Sequence, residues 1–194
     1  MKTRLPTEQR RVQIAEAALV VIAREGLGRF TTQAIAAEVG ITDGNLFRHF
    51  ASKQEIVLAA LDRVELELFR DFPPTDADPL VRLERFFRFR AALVGDRPVI
   101  ARLAFSDELP HAAGEGGARQ VESWKRRSLE FIVSCVTEAS ASGRLPAGLP
   151  VREVGVVVLG TLMILAKSGE LAGDPAVVDR TWLVVASFFR EVPS

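Results

Sequence analysis

Apolar positions recur along this chain at helical spacing, and nowhere do they alternate long enough to suggest a strand. Ile14, Ala15, Ala18, Leu19 and Ile22 mark a first helix over about 8–25, with Thr7 after Pro6 as its expected N-cap and Gly26 as its stop. A second helix opens at Thr31 or Thr32 and carries Ile35, Ala36 and Val39 on one side. It ends at Gly40, where a missing Cβ permits positive φ, and Ile41 can fill the corner that follows. Thr42 caps a third, short helix with Leu46 and Phe50 four apart on its buried side. Ser52-Lys53-Gln54-Glu55 has the form of a capping box, so a fourth helix starts there and runs to about Phe72, where Pro73-Pro74 stops it.

Five more helices are predicted beyond it. One follows Asp76 to Pro79 and carries the stripe Leu80, Leu83, Phe87, Ala91 and Val94, with Arg82, Arg85 and Arg88 beside the stripe as a solvated face. A short helix over about 98–109 precedes a flexible break at 110–117, which holds Gly114, Gly116 and Gly117. A long helix over about 118–142 places Val121, Trp124, Leu129, Ile132, Val133 and Val136 inward; two strongly apolar helices over about 151–168 and 175–192 close the chain. The expected fold class is all-α with about nine helices: a three-helix domain over 1–52 and a larger helical domain over 53–194.

The third helix leaves Gly44, Asn45, Phe47, Arg48 and His49 for its outer surface. A helix, a tight Gly-containing turn and a second short helix with a polar, partly aromatic outer face form the helix-turn-helix pattern, whose second helix enters the DNA major groove. Lys53 falls in a first helical turn, beside backbone N–H groups that favour a phosphate. The run Gly40-Ile41-Thr42-Asp43-Gly44-Asn45-Leu46-Phe47-Arg48-His49-Phe50-Ala51-Ser52-Lys53 resembles the DNA-binding signature of the tetracycline-repressor (TetR/AcrR) family, and the resemblance covers about residues 8–60. It implies phosphate contacts at Thr42, Phe47, His49 and Lys53, and one more from Thr31 or Thr32. One position departs from the family: Phe47 stands where Tyr is usual, so a hydroxyl contact is lost and only packing on sugar or a thymine methyl remains. Base reading then falls on Asp43, Asn45 and Arg48, of which Arg48 suits a guanine because its fork meets O6 and N7 together.

Charge supports this end of the chain. The formal net charge is zero, yet residues 1–53 hold eight Lys/Arg against five Asp/Glu, and the remainder holds 17 against 20. Residues 1–6 are expected to be disordered, with Lys2 and Arg4 free to add loose phosphate contacts. With 48% hydrophobic and 26% charged residues the composition is that of a globular protein. The N-terminus has no apolar signal region, and the single Cys135 forms no intrachain disulfide, so a cytoplasmic chain is expected. The longest apolar run, 154–166, is too short to span a bilayer, and no membrane partner is expected. His49, His111 and Cys135 lie far apart, and no phosphate loop, nucleophile elbow or dinucleotide fingerprint occurs; the expectation is no enzyme, no metal and no cofactor.

Two terminal helices this apolar would expose large patches on a monomer, so they are expected to bury against a second copy, with Val158, Leu162, Leu183 and Phe188 in the contact. The family resemblance implies the same four-helix interface. A small, mostly apolar effector is expected among the middle helices. Its lining is Phe87, Arg102, Phe105, Ser106, Trp124, Ser128, Cys135, Thr161 and Met163, with Leu83, Leu103, Ile132 and Leu165 as further apolar wall. Arg102 is the charge expected to orient a carboxylate. These readings combine into a homodimeric, ligand-responsive transcriptional repressor on a near-palindromic operator in double-stranded DNA. The competing reading is a DNA-organising protein of the same fold that takes no ligand.

Overall fold

The computed structural model describes residues 6–168 and 170–190; Lys2, Arg4 and the end of the last predicted helix lie outside them. Among the described residues there are ten helices and no strand, so the fold is all-α. They are α1 (Thr7–Glu25), α2 (Thr32–Val39), α3 (Asp43–Leu46), α4 (Lys53–Leu68), α5 (Pro79–Asp96), α6 (Pro98–Ala104), α7 (Leu109–Ala141), α8 (Val151–Ser168), α9 (Glu170–Gly173) and α10 (Pro175–Ala186). None of the described helices is long and apolar enough to cross a membrane. The chain divides into two compact units, Met1–Leu68 with Arg102–Ser123, and Phe69–Ala101 with Trp124–Ser194.

In the first unit α1 packs against α2 and α4. Ile14, Leu19, Ile22, Phe30, Ile35, Leu46, Phe50, Ile56 and Leu61 are all fully buried, each large side chain contributing about 1.5–3 kcal/mol of transfer free energy. Thr7 does not cap α1: it is the first helical residue, no side chain caps the helix, and the Pro6 carbonyl accepts from Arg10 N–H at 3.0 Å. The predicted break at 110–117 is also not a loop. Its backbone is helical except at Gly114, where φ is 63° and ψ is −173°. Ala113 and Gly117 are buried there, and a Cβ on Gly117 would stand 3.1 Å from Leu61 Cδ1 on α4, so packing outweighs glycine's poor helix propensity. Gln54 Nε2 on α4 donates to the Ala113 carbonyl at 3.2 Å, directly before the kink.

The second unit is built on α5, which packs against α8, α9 and α10. Asp78 caps α5 by accepting from Leu80 N–H at 2.8 Å, and Asp174 caps α10 by accepting from Ala176 N–H at 2.9 Å; each is followed by Pro in the first helical position. The core joins Leu83, Phe86 and Phe87 with Ile132, Val136, Val158, Leu162, Leu165, Trp182 and Val185. The loop predicted after α8 contains the extra helix α9, whose Ala172 is buried against α5.

The expected subunit contact needs correcting. Val158 is fully buried in the subunit's own core, Leu162 is buried beside it, and Phe188 packs onto that core from the turn after α10. Of the four residues only Leu183 faces outward, 66% exposed. The open faces are instead Val156, Val157 and Ile164 on α8 and Leu183 and Val184 on α10. Because α8 is apolar on nearly every side, periodicity could not tell which stripe its neighbours would take.

Candidate functional site

The helix pair α2–α3 is fixed by backbone caps at both ends of its turn. Thr31 Oγ1 accepts from Ala34 N–H at 3.1 Å and starts α2. Gly40 ends it in the left-handed region, φ 73°, which lets its N–H reach Ala37 O and that of Ile41 reach Ala36 O at 2.9 Å. Thr42 Oγ1 then accepts from Asn45 N–H at 3.3 Å and starts α3. Only Asp43–Leu46 is α-helical; Phe47 to His49 continue as turns, while Leu46 and Phe50 anchor the segment from beneath.

These anchors decide what the outer face presents. Thr42, Gly44, Phe47 and Arg48 are exposed, and Asn45 is half-buried. A Cβ on Gly44 would meet nothing within 4 Å, so the backbone there is open to a close approach. Asp43 is turned partly inward: its Oδ1 is buried with no donor on it, leaving less of the carboxylate to face outward than the sequence suggested. His49 is half-buried. Thr31 is exposed and Thr32 half-exposed at the start of α2. Lys53 opens α4 with its Nζ 4.7 Å from the Phe30 ring centroid.

Behind this face lies a brace on Arg11 and Glu55. Arg11 Nη1 donates to the His49 carbonyl, its Nη2 donates to Glu55 Oε1 at 2.8 Å, and its guanidinium stands 4.1 Å from the Phe50 ring centroid. Glu55 Oε2 accepts from Ala51 N–H at 2.7 Å, while Glu55 N–H donates to Ser52 Oγ at 3.1 Å, so the capping box closes one residue earlier than its usual form. Arg11's hydrogen bond and Ala51's N–H hold the Glu55 carboxyl below its usual range. The Arg11 role had no local signal, since His49 is 38 residues away.

Residues 14–60, which carry most of α1, all of α2 and α3 and the start of α4, match the family described as bacterial regulatory proteins, tetR family. Over these residues the chain belongs to the tetR family. It is 40% identical over 81 residues to the HTH-type transcriptional repressor KstR2 of Mycobacterium tuberculosis (strain ATCC 25618 / H37Rv), a match covering 40% of each chain, so it spans only two fifths of that relative's length. It is 25% identical over 160 residues, 78% of each chain, to the fatty acid metabolism regulator protein of Bacillus subtilis (strain 168). A solved structure of the regulator FadR from Bacillus subtilis, in complex with stearoyl-CoA, superposes with a TM-score of 0.70 at 18% identity, over 92% of this chain and 98% of that one.

The residues expected around an effector are distributed over both units. Arg102, Phe105 and Ser106 belong to the first unit; Arg102 is exposed and Ser106 Oγ accepts from Glu108 N–H at 3.2 Å. In the second unit Phe87 is fully buried against Trp182, with ring centroids 5.5 Å apart. Ser128 Oγ donates to the Trp124 carbonyl at 2.7 Å, and burial pushes the Cys135 thiol up. Met163 is half-buried. Thr161 lies in an outer groove of about 480 Å³ with Val157, Ile164, Leu171 and Thr181, on the open side of α8. The arginines of α5 also divide: Arg85 is exposed, Arg88 pairs with Glu84 and Asp179, Arg82 pairs with Glu138, and Arg90 is buried. Arg90 follows Phe86 and Phe87 at helical spacing on the buried stripe, and that position was the signal available in the sequence.

Proposed function

We propose that this chain is a homodimeric transcriptional repressor that binds a near-palindromic operator through α2 and α3 and leaves it when a small, mostly apolar effector binds. The observation that carries the reading is the outer face of α3. Thr42, Asn45, Phe47 and Arg48 project from a segment pinned by Leu46 and Phe50 and braced by Arg11 and Glu55, in a family of regulatory proteins. Lys53, Thr31, Thr32 and His49 supply phosphate contacts, which position the unit, and Arg48 with Asn45 reads bases.

Dimerisation supplies the second half-site. The helices α8 and α10 leave Val156, Val157, Ile164, Leu183 and Val184 at least half exposed, apolar surface that a second copy would cover. An effector with a long apolar body accords with FadR, whose structure holds stearoyl-CoA. Fluorescence anisotropy on a selected operator tests the reading. Binding should be dimeric and steeply salt-dependent, and Lys53→Ala should lower the salt slope by roughly one per half-site while weakening all sequences alike. An altered base preference with an unchanged slope would overturn the role of Lys53. A true effector must weaken operator binding and be weakened by operator in equal measure; operator binding with no effector response would favour the DNA-organising alternative.

A further inference from the structure

Arg90 on α5 is the only charged residue in the buried class among the described residues, at 8% exposure. Its guanidinium carbon stands 4.6 Å from the Phe69 ring centroid and 5.0 Å from that of Phe86. Among the described residues no carboxylate pairs with it, and no group accepts from its Nε or Nη2, both of which are buried. A second cation stands on the same ring: Arg127, on α7, lies 3.6 Å from the Phe69 centroid. Burial, and then Arg127, lower Arg90 to about 10, so it remains a cation at neutral pH. Trp124, one turn before Arg127 on the same helix, likewise buries its indole N–H without an acceptor.

Cation–π contact offsets only part of the cost of burying an unpaired charge, and here two cations share one ring. The unmatched groups are all donors, so an acceptor-rich, negatively charged partner would complete them. Nε and Nη2 are the adjacent pair on one edge of the guanidinium, whose parallel N–H bonds match the two oxygens of a carboxylate. Around them Phe72 and Phe86 both pack on Phe131, with centroids 5.1 and 5.0 Å apart, which favours an apolar body over a polar one.

We propose that Arg90 receives the carboxylate of the effector, and that the effector is a carboxylate on an apolar body. This rests on the effector-responsive reading above and moves the orienting charge from Arg102 to Arg90.

Calorimetry on the full chain at pH 8 tests it with decanoate against 1-decanol, which share a body and differ in the head. The wild type should bind decanoate more tightly by roughly 10- to 100-fold. Arg90→Met should abolish that preference and melt no lower than the wild type, because it removes a buried unpaired charge. Arg90→Lys, which keeps the charge without the fork, should retain only part of the preference, and it carries the test if Arg90→Met does not fold. Equal binding of the two probes by the wild type, a preference that survives Arg90→Met, or no binding of either probe overturns the proposal. So does tighter binding of decyl phosphate than of decanoate, which would replace the planar head by a tetrahedral one. Anisotropy on the same preparations separates the two readings: failure with decanoate leaves operator binding standing, while loss of operator binding leaves the carboxylate site standing.

Discussion

Replacing Glu55 by alanine should weaken operator binding even though it makes the DNA-facing unit more positive. Glu55 accepts from Ala51 N–H at 2.7 Å and from Arg11 Nη2 at 2.8 Å, and Arg11 in turn holds the His49 carbonyl. Losing the cap costs about 0.5–2 kcal/mol. The ion pair is partly exposed, 32% at Arg11 and 37% at Glu55, and adds only about 0.2–1 kcal/mol. Together about 0.7–3 kcal/mol falls on the segment that orients α3, of which only part is carried into DNA binding, against a gain of a few tenths from removing one screened negative charge. Operator affinity should therefore drop roughly threefold to tenfold. Glu55→Gln, whose amide oxygen can still accept from Ala51, should recover most of it. Because Arg11 and the Ala51 N–H depress the Glu55 pKa in the folded chain, the ionic part of its stabilisation is present above the ordinary value of 4.5 and is lost as pH falls through the lower folded value. The stability gap between wild type and Glu55→Gln should thus close on acidification below that point. Denaturant unfolding and anisotropy at three salt concentrations measure these quantities. A Glu55→Ala variant that binds operator as tightly as the wild type, or more tightly, with unchanged stability would refute the brace.

Three further outcomes are expected. Ile164→Glu and Leu183→Glu, at positions 62% and 66% exposed, should leave the subunit folded but sediment as monomers, whereas Val158→Glu should unfold the subunit because a charge there enters its own core unpaired. Dimers persisting in both surface variants would count against the α8–α10 contact. Gly155→Ala would set its Cβ 2.7 Å from Val133 Cγ2, so a net loss of about 0–2 kcal/mol in chemical unfolding is expected, overpacking of about 1–3 offset by about 1 from helix propensity; a clear gain in stability would exclude that close approach. Burial pushes the Asp78 carboxyl up, but Arg144, at 2.7 and 2.8 Å, and the N–H groups of Leu80 and Val81 outweigh it and hold it below its usual range. Asp78→Asn should accordingly cost about 1 kcal/mol near neutrality, and the loss should vanish in acid, as thermal melts across pH would report.

The geometry of α2 and α3 was legible because its cues are local. Thr31, Gly40 and Thr42 act through their own neighbours three or four residues away, and those hydrogen bonds are made as the residue types suggest. Leu46 and Phe50 announced the buried side of α3 by spacing alone, and both are buried. The effector region was not legible in this way. Any arginine's planar fork suits a carboxylate, and that property does not say which one is buried: Arg102 is exposed, while Arg90, lost among three other arginines of α5, is buried.

The sequence by itself determined most of the helices, the caps of α2 and α3 and the side of α3 that faces out, because each depends on contacts within about one helical turn. Tertiary structure alone decided the rest. It kept the glycine-rich 113–117 segment helical around one kink by burying Ala113 and Gly117. It turned Val158 and Leu162 of an all-apolar helix inward and left Val156, Val157 and Ile164 outside. It brought Arg11 to His49 across 38 residues and set Arg90 and Arg127 on one phenylalanine ring. The reason is common to all of them: when several faces of a helix are equally apolar, or a long cationic side chain can reach either water or an aromatic ring, local preference is nearly degenerate. The choice is then made by which neighbouring helix arrives against it.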